Sequence, residues 1–380
     1  MSPRVPSSAA LDAGPIHQKA EHRGPSQGSS NPKPSKDSPK KGSSGGLAGV
    51  VAGESTICTV ALGSGLNYRG YNVVDLAREA TFEEVVHLLL LGELPNQQQL
   101  ATLKQKLYRA RQLPPQLLTV LKQIPKEAHP MDVLRTTCSV LGTLEPESNP
   151  PQQQVDIAIR LIGGFGGALN YWYHYANSGK EISLVSDPED SVAKNFLKLM
   201  NGDPAFKPHP VVTKTLDASL ILYAEHDFNG PSVWFSRVFL QLEEAFARRE
   251  LIMGFGHRMY KHGDPRAPLM RQLAEALARA QLPDSDPDMV RIGAFIEEHM
   301  LKRKNMHANV DFSAAIAYKQ CGVPIRFFTP LFAIARTAGW AAHVLEQRAV
   351  NKLIRPTSIY KGPPPRPFLP MGRRGLPAKL

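Results

Sequence analysis

Three short polar clusters interrupt the apolar texture of this sequence and carry residue types that can do chemistry. They are the segments AEHDFN (224–229), GFGHRMYK (254–261) with DPR (264–266) just after it, and NVDF (309–312). Histidines and carboxylates can move protons, and arginine forks bind carboxylates. Gly254 and Gly256 allow close approach to a ligand and hold His257 on a loop. The clusters indicate an acid–base site for a carboxylate-bearing substrate.

Each of these residues also has a purely structural explanation. His226 follows a helical run, and a lone histidine in that position is more often hydrogen-bonded within the fold than free for chemistry. Asp311 could cap a helix that begins near Ser313. On residue spacing alone, the enzyme hypothesis therefore stays weak beside these alternatives.

Other common kinds of site find no support in the spacing. His257 and His262 lack the i, i+4 pattern of a zinc-binding helix. The glycine run 163–167 follows no predicted strand, so it does not match a dinucleotide-binding loop. The three cysteines are too scattered for a disulfide scaffold or a cysteine-based zinc site, which indicates a reducing compartment.

The segments between the clusters read almost entirely as helix. A short strand is expected at Thr56–Val60, bounded by glycines, and everything after it shows helical spacing. Thr81 and Glu84 form a capping box ahead of a helix that stops near Gly92. Further helices are predicted at 100–112, 131–141, 153–177, 191–200, 213–228, 238–249, 267–280, 287–302, 313–320 and 330–353. The predicted fold class is mostly α, with short strands only near the start of the folded region.

The net charge of +11 over 380 residues would ordinarily raise nucleic acid as a partner. Residues 1–41 carry seven basic and three acidic side chains, however, and residues 361–380 carry five basic and none acidic. The remainder is therefore nearly neutral, so no nucleic acid partner is expected. The longest apolar run, Val85–Leu91, is far shorter than a membrane span and contains His87, so no membrane partner is expected either.

Four longer segments, taken together, resemble the citrate synthase family: GFGHRMYKHGDPRA (254–267), NVDFSAAIAYKQCGVP (309–324), FAIARTAGWAAHVLEQR (332–348) and NKLIRP (351–356). The resemblance begins near Gly49, with GESTIC (53–58) and LNYRGYNVVDLA (66–77), and runs to about Phe368. It is most similar to the 2-methylcitrate synthase branch in YWYHYANSGKEI (171–182), ILYAEHDFN (221–229) and NKLIRPTSIYKGPPPRPFLP (351–370).

The resemblance implies a homodimer of two-domain helical subunits that condense an acyl-CoA with oxaloacetate and hydrolyse the thioester. Acetyl-CoA or propionyl-CoA would be the co-substrate, with no permanently bound cofactor and no metal. The expected division is a disordered tail (1–46), a large domain in two parts (47–237 and 321–362), a small domain truncated at its start (238–320) and a C-terminal tail (363–380).

By resemblance, Asp311 would be the base that abstracts the α-proton of the acyl group, and His257 would hydrogen-bond the oxaloacetate carbonyl. His226 would bind oxaloacetate, and Arg266 and Arg336 would clamp its two carboxylates. Arg355 matches the arginine that the family contributes from the neighbouring subunit.

One family signature is missing. Between the AEH and GFGH motifs the family carries a GPLHGG-like loop, whose histidine stabilises the enol of the thioester. Only 30 residues separate His226 from His257 here, a shortfall of roughly 40 to 50. The alternative function is thus a shortened, catalytically impaired relative that binds a ligand or partner without turnover; a faulty or alternatively spliced gene model would instead leave a complete enzyme.

The expected location is intracellular: cytoplasmic in a bacterium, mitochondrial or peroxisomal in a eukaryote. The final residues Ala378-Lys379-Leu380 resemble the peroxisomal C-terminal signal.

Overall fold

The computed structural model describes residues 53–62, 65–227, 252–350 and 362–365, together with Phe368 and Met371. The predicted tail (1–46), the predicted helix at 238–249 and Arg355 lie outside these residues.

Helices dominate the described part of the chain, as predicted. Twelve α-helices are described: α1 Val73–Glu79, α2 Phe82–Leu91, α3 Gln97–Ala110, α4 Pro115–Gln123, α5 Pro130–Leu144, α6 Pro150–Ser178, α7 Val192–Asn201, α8 Pro210–Tyr223, α9 Ala267–Arg279, α10 Pro287–Lys304, α11 Val310–Gln320 and α12 Phe328–Val350. A 3₁₀ turn at Ile325–Phe327 leads into α12. The spacing did not reveal the short helices α1 and α4.

A small antiparallel sheet precedes the helices. Its strands are β1 Cys58–Leu62, β2 Gly65–Tyr68 and β3 Tyr71–Asn72, in the order β1-β2-β3. Cys58 pairs with Tyr68 across the hairpin. The predicted strand is therefore present but begins two residues later, and the expectation that only helix follows it was wrong for 65–72. The sheet matters because β1 and β2 each send a side chain towards the end of α8.

Local signals set several helix ends. Thr81 and Glu84 form the predicted capping box at the start of α2, and Gly92 ends that helix with a left-handed backbone, φ 93°. At α11 the cap is Asn309, whose side chain accepts from the Asp311 N–H. Asp311 itself lies inside the first turn, so the explanation of Asp311 as the cap was wrong.

The glycine run 163–167 lies inside α6 and serves packing. A Cβ on Gly163 would lie 2.7 Å from the Ala110 Cβ and 2.8 Å from the Leu107 carbonyl oxygen. The missing side chain thus allows α6 to lie directly against α3. This is a helix-packing surface, in agreement with the rejection of a nucleotide loop.

The helices pack in two neighbourhoods that meet at α8. The long helix α6 packs on α3, α5, α7 and α12, while α9, α10 and α11 pack mainly on one another. α8 contacts α9 and α11 as well as α1, α2, α7 and α12. The described residues from Gly53 onward nevertheless group as one compact unit, and the domain boundaries at 237/238 and 320/321 stay predictions.

None of the helices within the described ranges is long and apolar enough to span a membrane.

Candidate active site

The carboxyl end of α8 anchors the candidate site. The last carbonyl groups of a helix have no partner within it and carry partial negative charge, so they attract donors and cations. The Tyr68 hydroxyl lies 3.0 Å from the Ile221 oxygen, Arg266 Nη1 donates to Leu222 (3.4 Å) and Arg336 Nε donates to Tyr223 (2.7 Å). Two arginines that are 70 residues apart in the sequence are thereby brought to one helix end.

The chain leaves the helix immediately after this point. The prediction that α8 continues to 228 was wrong, because Tyr68 also bonds the Glu225 main chain on both sides: its hydroxyl lies 2.9 Å from the Glu225 oxygen and 3.2 Å from the Glu225 nitrogen. Asp227 then takes a left-handed conformation with φ 58°. His226 is therefore presented from an irregular segment.

His226 is buried, and its Nε2 atom has no hydrogen-bond partner within the described chain. Burial, and next the positive charge of Arg266, lower its pKa to about 2, so the ring is neutral. Its ring centroid lies 5.1 Å from that of His257 and 5.6 Å from that of Tyr260. The alternative of a hydrogen-bonded structural histidine does not fit this Nε2 atom, because a buried unpaired ring nitrogen is costly unless a ligand meets it.

The loop that carries His257 depends on its two glycines. Gly254 and Gly256 have φ values of 88° and 77°, which side chains rarely tolerate. The Gly256 N–H donates to the His307 oxygen (2.8 Å), and the Asn309 side chain donates to the Gly256 oxygen (3.1 Å). These bonds fix the His257 loop against the segment that leads into α11.

The hydrogen bonds of His257 define its tautomer. Nδ1 accepts from the backbone N–H groups of Met259 (3.1 Å) and Tyr260 (3.3 Å). In a neutral imidazole the other nitrogen, Nε2, must then carry the proton. Burial lowers the pKa of His257, against the opposing effect of Asp264, so the ring is a neutral hydrogen-bond donor.

Arg266 is buried in a two-pronged ion pair with Asp264. Nε donates to Oδ1 (2.9 Å) and Nη2 donates to Oδ2 (2.8 Å). Although burial alone would raise it, the pKa of Asp264 falls to about 2 beside this guanidinium. Oδ2 also accepts from the Val310 N–H (2.9 Å). Asp264 therefore joins Arg266 to the first turn of α11. The remaining Arg266 nitrogen, Nη1, is the one that donates to the Leu222 oxygen.

Arg336 is buried on α12 and is less fully paired. Nε donates to the Tyr223 oxygen, while Nη1 has no partner among the residues the structure describes. The guanidinium carbon lies 4.7 Å from the Phe332 ring centroid. Burial lowers its pKa, but an arginine remains charged at neutral pH. A buried cation with an unpaired N–H is a strong candidate for binding an anion.

Asp311 faces the same helix end. Its Oδ1 atom accepts from the Tyr223 hydroxyl (2.7 Å). Burial raises the pKa of Asp311, whereas the Tyr223 hydrogen bond and Arg266 act in the opposite direction. A carboxylate of raised proton affinity near two arginines is suited to taking a proton from a carbon acid.

The structure thus brings together His226, His257, Arg266, Arg336 and Asp311, here named the site cluster. The sixth predicted residue, Arg355, lies outside the described residues. Tyr223 and Asp264 also contact members of the site cluster, and the sequence patterns did not predict them as site residues. Their motifs, ILYAEHDFN and DPR, were noted, but only long-range contacts reveal what these two side chains bond.

A helical fold that brings a buried carboxylate, a neutral histidine donor and buried arginines to one helix end is typical of enzymes that act on carboxylate-bearing substrates. The family model for the citrate synthase C-terminal domain matches residues 46–240 and 237–357. The chain belongs to the citrate synthase family.

Curated relatives cover most of the chain. It is 40% identical to a 2-methylcitrate synthase from Shewanella oneidensis, over 88% of this chain and 99% of that protein. It is 32% identical to citrate synthase 2 from Bacillus subtilis, over 87% and 98%. Its structure is similar to a crystal structure of citrate synthase from Thermotoga maritima, with 31% identity, a TM-score of 0.72, and coverage of 87% and 98%.

The same comparisons bear on the missing segment. The alignment with the Shewanella protein is 380 residues long, but this chain contributes 88% of its own 380 residues, or about 334. About 46 residues of that relative therefore have no counterpart here. The two family matches meet at 237–240, between His226 and His257. This difference agrees in size with the expected shortfall; that it removes the family's enol-stabilising histidine stays a prediction.

Proposed function

We propose that this protein condenses an acyl-CoA with oxaloacetate and hydrolyses the thioester. The product would be 2-methylcitrate from propionyl-CoA, or citrate from acetyl-CoA. Membership of the citrate synthase family supports the reaction class. The observation that carries the proposal is the site cluster itself, in which Asp311 lies at the same helix end as buried donors that lack partners.

Oxaloacetate is the substrate that these donors fit. It carries two carboxylates and a ketone, and the unpaired atoms of Arg336 and His226 supply an anion-binding fork and a polar ring. Arg266, which is held by Asp264, adds a second guanidinium to the same site. His257 would donate from Nε2 to the keto oxygen and stabilise the alkoxide that forms there. The two backbone bonds to Nδ1 keep the proton on Nε2, so the neutral ring can make this donation.

Asp311 would take the α-proton of the acyl group, and the resulting carbon nucleophile would attack the ketone. Water then cleaves the thioester and releases CoA with a free thiol. The Tyr223 hydroxyl holds one oxygen of Asp311 at 2.7 Å, so the second oxygen is left to meet the α-carbon. Burial raises the proton affinity of Asp311, which strengthens it as a base.

The CoA moiety would lie beside the His257 loop. Arg258 and Lys261 on that loop, and Lys302 at the end of α10, are exposed basic residues. The loop contacts the segment that follows α10, because a Cβ on Gly263 would lie 3.6 Å from the His307 ring. Such a basic surface suits the phosphates of CoA. The proposed assembly is a homodimer in which Arg355 reaches the neighbouring site.

A second function is favoured by one observation, the shortfall of about 46 residues. If the enol-stabilising histidine lies in that segment, the chain would bind oxaloacetate without condensing it. The unpaired donors of the site cluster serve binding equally well. The alternative is therefore a catalytically impaired family member.

Release of the CoA thiol tests the two functions against each other. The purified chain is mixed with oxaloacetate and either propionyl-CoA or acetyl-CoA, and the thiol is followed with a colorimetric reagent; oxaloacetate binding is measured separately by calorimetry. Condensation predicts thiol release that requires oxaloacetate, and propionyl-CoA is tested first because of the 40% identical 2-methylcitrate synthase. Binding without release from either donor supports the impaired relative.

A further inference from the structure

A buried carboxylate lies directly behind His226 and has no part in the proposed chemistry. Glu225 is completely buried, in the irregular segment between α8 and Asp227. Its Oε1 atom accepts from His343 Nε2 (2.9 Å) and from the Cys58 thiol (3.3 Å). A buried carboxylate is costly unless it is paired, so this arrangement needs an explanation.

Glu225 belongs to a set of contacts that hold its segment from three sides. Cys58 on β1 bonds the Glu225 side chain and accepts from the Asp227 N–H (3.1 Å). Tyr68 on β2 bonds the Glu225 main chain. Gly339 on α12 donates its N–H to the Ala224 oxygen (3.1 Å). His226 is thus held by its neighbours on both sides along the chain.

The contact with α12 is unusually close. A Cβ on Gly339 would lie 2.0 Å from Glu225 Oε2 and 2.4 Å from the Ala224 oxygen, so only glycine fits there. Arg336, Gly339 and His343 are three and four residues apart and therefore share one face of α12. That face presents Arg336 to the Tyr223 oxygen and His343 to Glu225.

Charge follows the same geometry. Burial, the largest single influence, would lower the pKa of His343, but the hydrogen bond and charge of Glu225, with the charges of Glu346 and Asp227, together raise that pKa above its ordinary value. Burial keeps the pKa of Arg336 below its ordinary value, and Tyr68 and Glu225 oppose that effect only in part. The other groups that act on His343 are Glu346 on the same helix and Asp227. The Glu225 carboxylate therefore lies against the face of α12 that carries both His343 and Arg336.

We propose that Glu225 and His343 form a positioning pair, which holds His226 and Arg336 in register for oxaloacetate without touching the substrate. The pair bonds the segment that carries His226 to the helix that carries Arg336. The inference rests on oxaloacetate being the ligand of the site cluster, and it does not require the condensation step to occur.

The test compares Glu225→Gln, His343→Gln and the double variant with the unaltered full-length chain. Each single change should raise the Kd for oxaloacetate by about 10- to 100-fold, because a small displacement of binding groups has effects of this size. The Kd of the double variant should not exceed that of the single variant that binds oxaloacetate more weakly, since the pair acts as one unit. Glu147→Gln is the matched control, because Glu147 pairs at 2.7 Å with Arg348, which lies on α12 as His343 does.

The pH dependence separates positioning from simple loss of stability. In the unaltered chain oxaloacetate should bind more weakly as pH rises through the titration of His343, because neutral His343 leaves a negative charge behind an anion site. His343→Gln should remove this dependence, and Glu225→Gln should move it to lower pH. A general loss of stability would lower Tm without moving the pH midpoint.

Unchanged affinity and an unchanged pH midpoint in Glu225→Gln, with the fold intact by circular dichroism, would overturn the proposal. Equal weakening in Glu147→Gln would overturn it as well. If the unaltered chain binds oxaloacetate but never releases CoA, the proposed condensation fails while the positioning pair is still tested by binding.

Discussion

Two regions of this molecule bury carboxylates, and they do so with opposite electrostatic results. At the edge of the site cluster, Asp264 pairs with Arg266 and the pKa of Asp264 falls to about 2. Glu83 on α2 and Asp217 on α8, here named the acid pair, are both buried. Burial together with the charge of Glu83 raises the pKa of Asp217 to about 7.

The difference lies in what surrounds each carboxylate. Asp264 accepts from a guanidinium fork and from the Val310 N–H. In the acid pair, Glu83 accepts from the Val192 N–H (2.7 Å) and Asp217 from the Phe82 N–H (3.3 Å), both backbone donors without a full charge. Burial alone therefore does not decide the charge state of an acid. Ionisation of Asp264 therefore stabilises the fold, whereas ionisation of Asp217 destabilises it as pH rises.

The largest effect is expected from Asp311→Asn. The amide can still accept from Tyr223 but cannot take a proton, so the turnover number should fall by about 100- to 10,000-fold. Affinity for oxaloacetate should change little. Thiol release and calorimetry measure the two quantities, and a fall in turnover of less than tenfold would contradict the assignment of Asp311 as base.

Asp264→Asn tests the buried ion pair between Asp264 and Arg266. Removing one partner of a buried pair leaves the other charge uncompensated, so the free energy of unfolding should fall by about 3–5 kcal/mol. Urea denaturation measures this loss, with Asp156→Asn as a control in the exposed pair with Lys106. A loss no larger than that of the control would show that Arg266 does not depend on Asp264.

The lowered pKa of Asp264 also affects how the free energy of unfolding changes at acidic pH. Its pKa is lower in the folded chain than in the unfolded one, so its contribution is present above about pH 4 and is lost as pH falls towards 2. Asp264→Asn should therefore lose less stability between pH 5 and pH 3 than the unaltered chain.

Arg336→Gln removes the buried cation that has an unpaired N–H. The Kd for oxaloacetate should rise by about 30-fold or more, which corresponds to about 2 kcal/mol, because a carboxylate loses its charged partner. Arg348→Gln on the same helix is the control, since Arg348 pairs with exposed Glu147. Similar affinities in both variants would remove Arg336 from the binding site.

The smallest effect, and the only stabilising one, is expected from Asp217→Asn. Because the folded-state pKa lies above the unfolded one, ionisation of Asp217 costs stability as pH rises from about 4, and the full cost is reached above about 7. The amide resembles the protonated acid, so the variant should gain about 1–3 kcal/mol at pH 8 and much less at pH 4.

Denaturant titrations at the two pH values measure the Asp217→Asn gain, with exposed Glu79→Gln on α1 as control. Destabilisation at pH 8 would mean that the two regions do not differ as described.

The sequence alone was enough for the features that depend on near neighbours. The capping box of Thr81 and Glu84, the mostly helical class and the loop around His257 follow from residues a few positions apart, because helix ends and glycine turns are set by local hydrogen bonds and sterics. The shortfall between His226 and His257 was expected from the resemblance to the family pattern, because the two flanking motifs could be recognised in the sequence and the interval between them counted.

Tertiary structure decided the features that depend on contacts between distant segments. α8 ends at Tyr223 because Tyr68, 155 residues earlier, bonds the main chain beyond it. Asp311 meets Tyr223, and Arg266 is already paired with an acid two residues away whose orientation is fixed by Val310. The protonation state of a side chain, its tautomer and its unpaired hydrogen-bonding atoms depend on the groups around it. Those groups come together only once the helices and strands have packed.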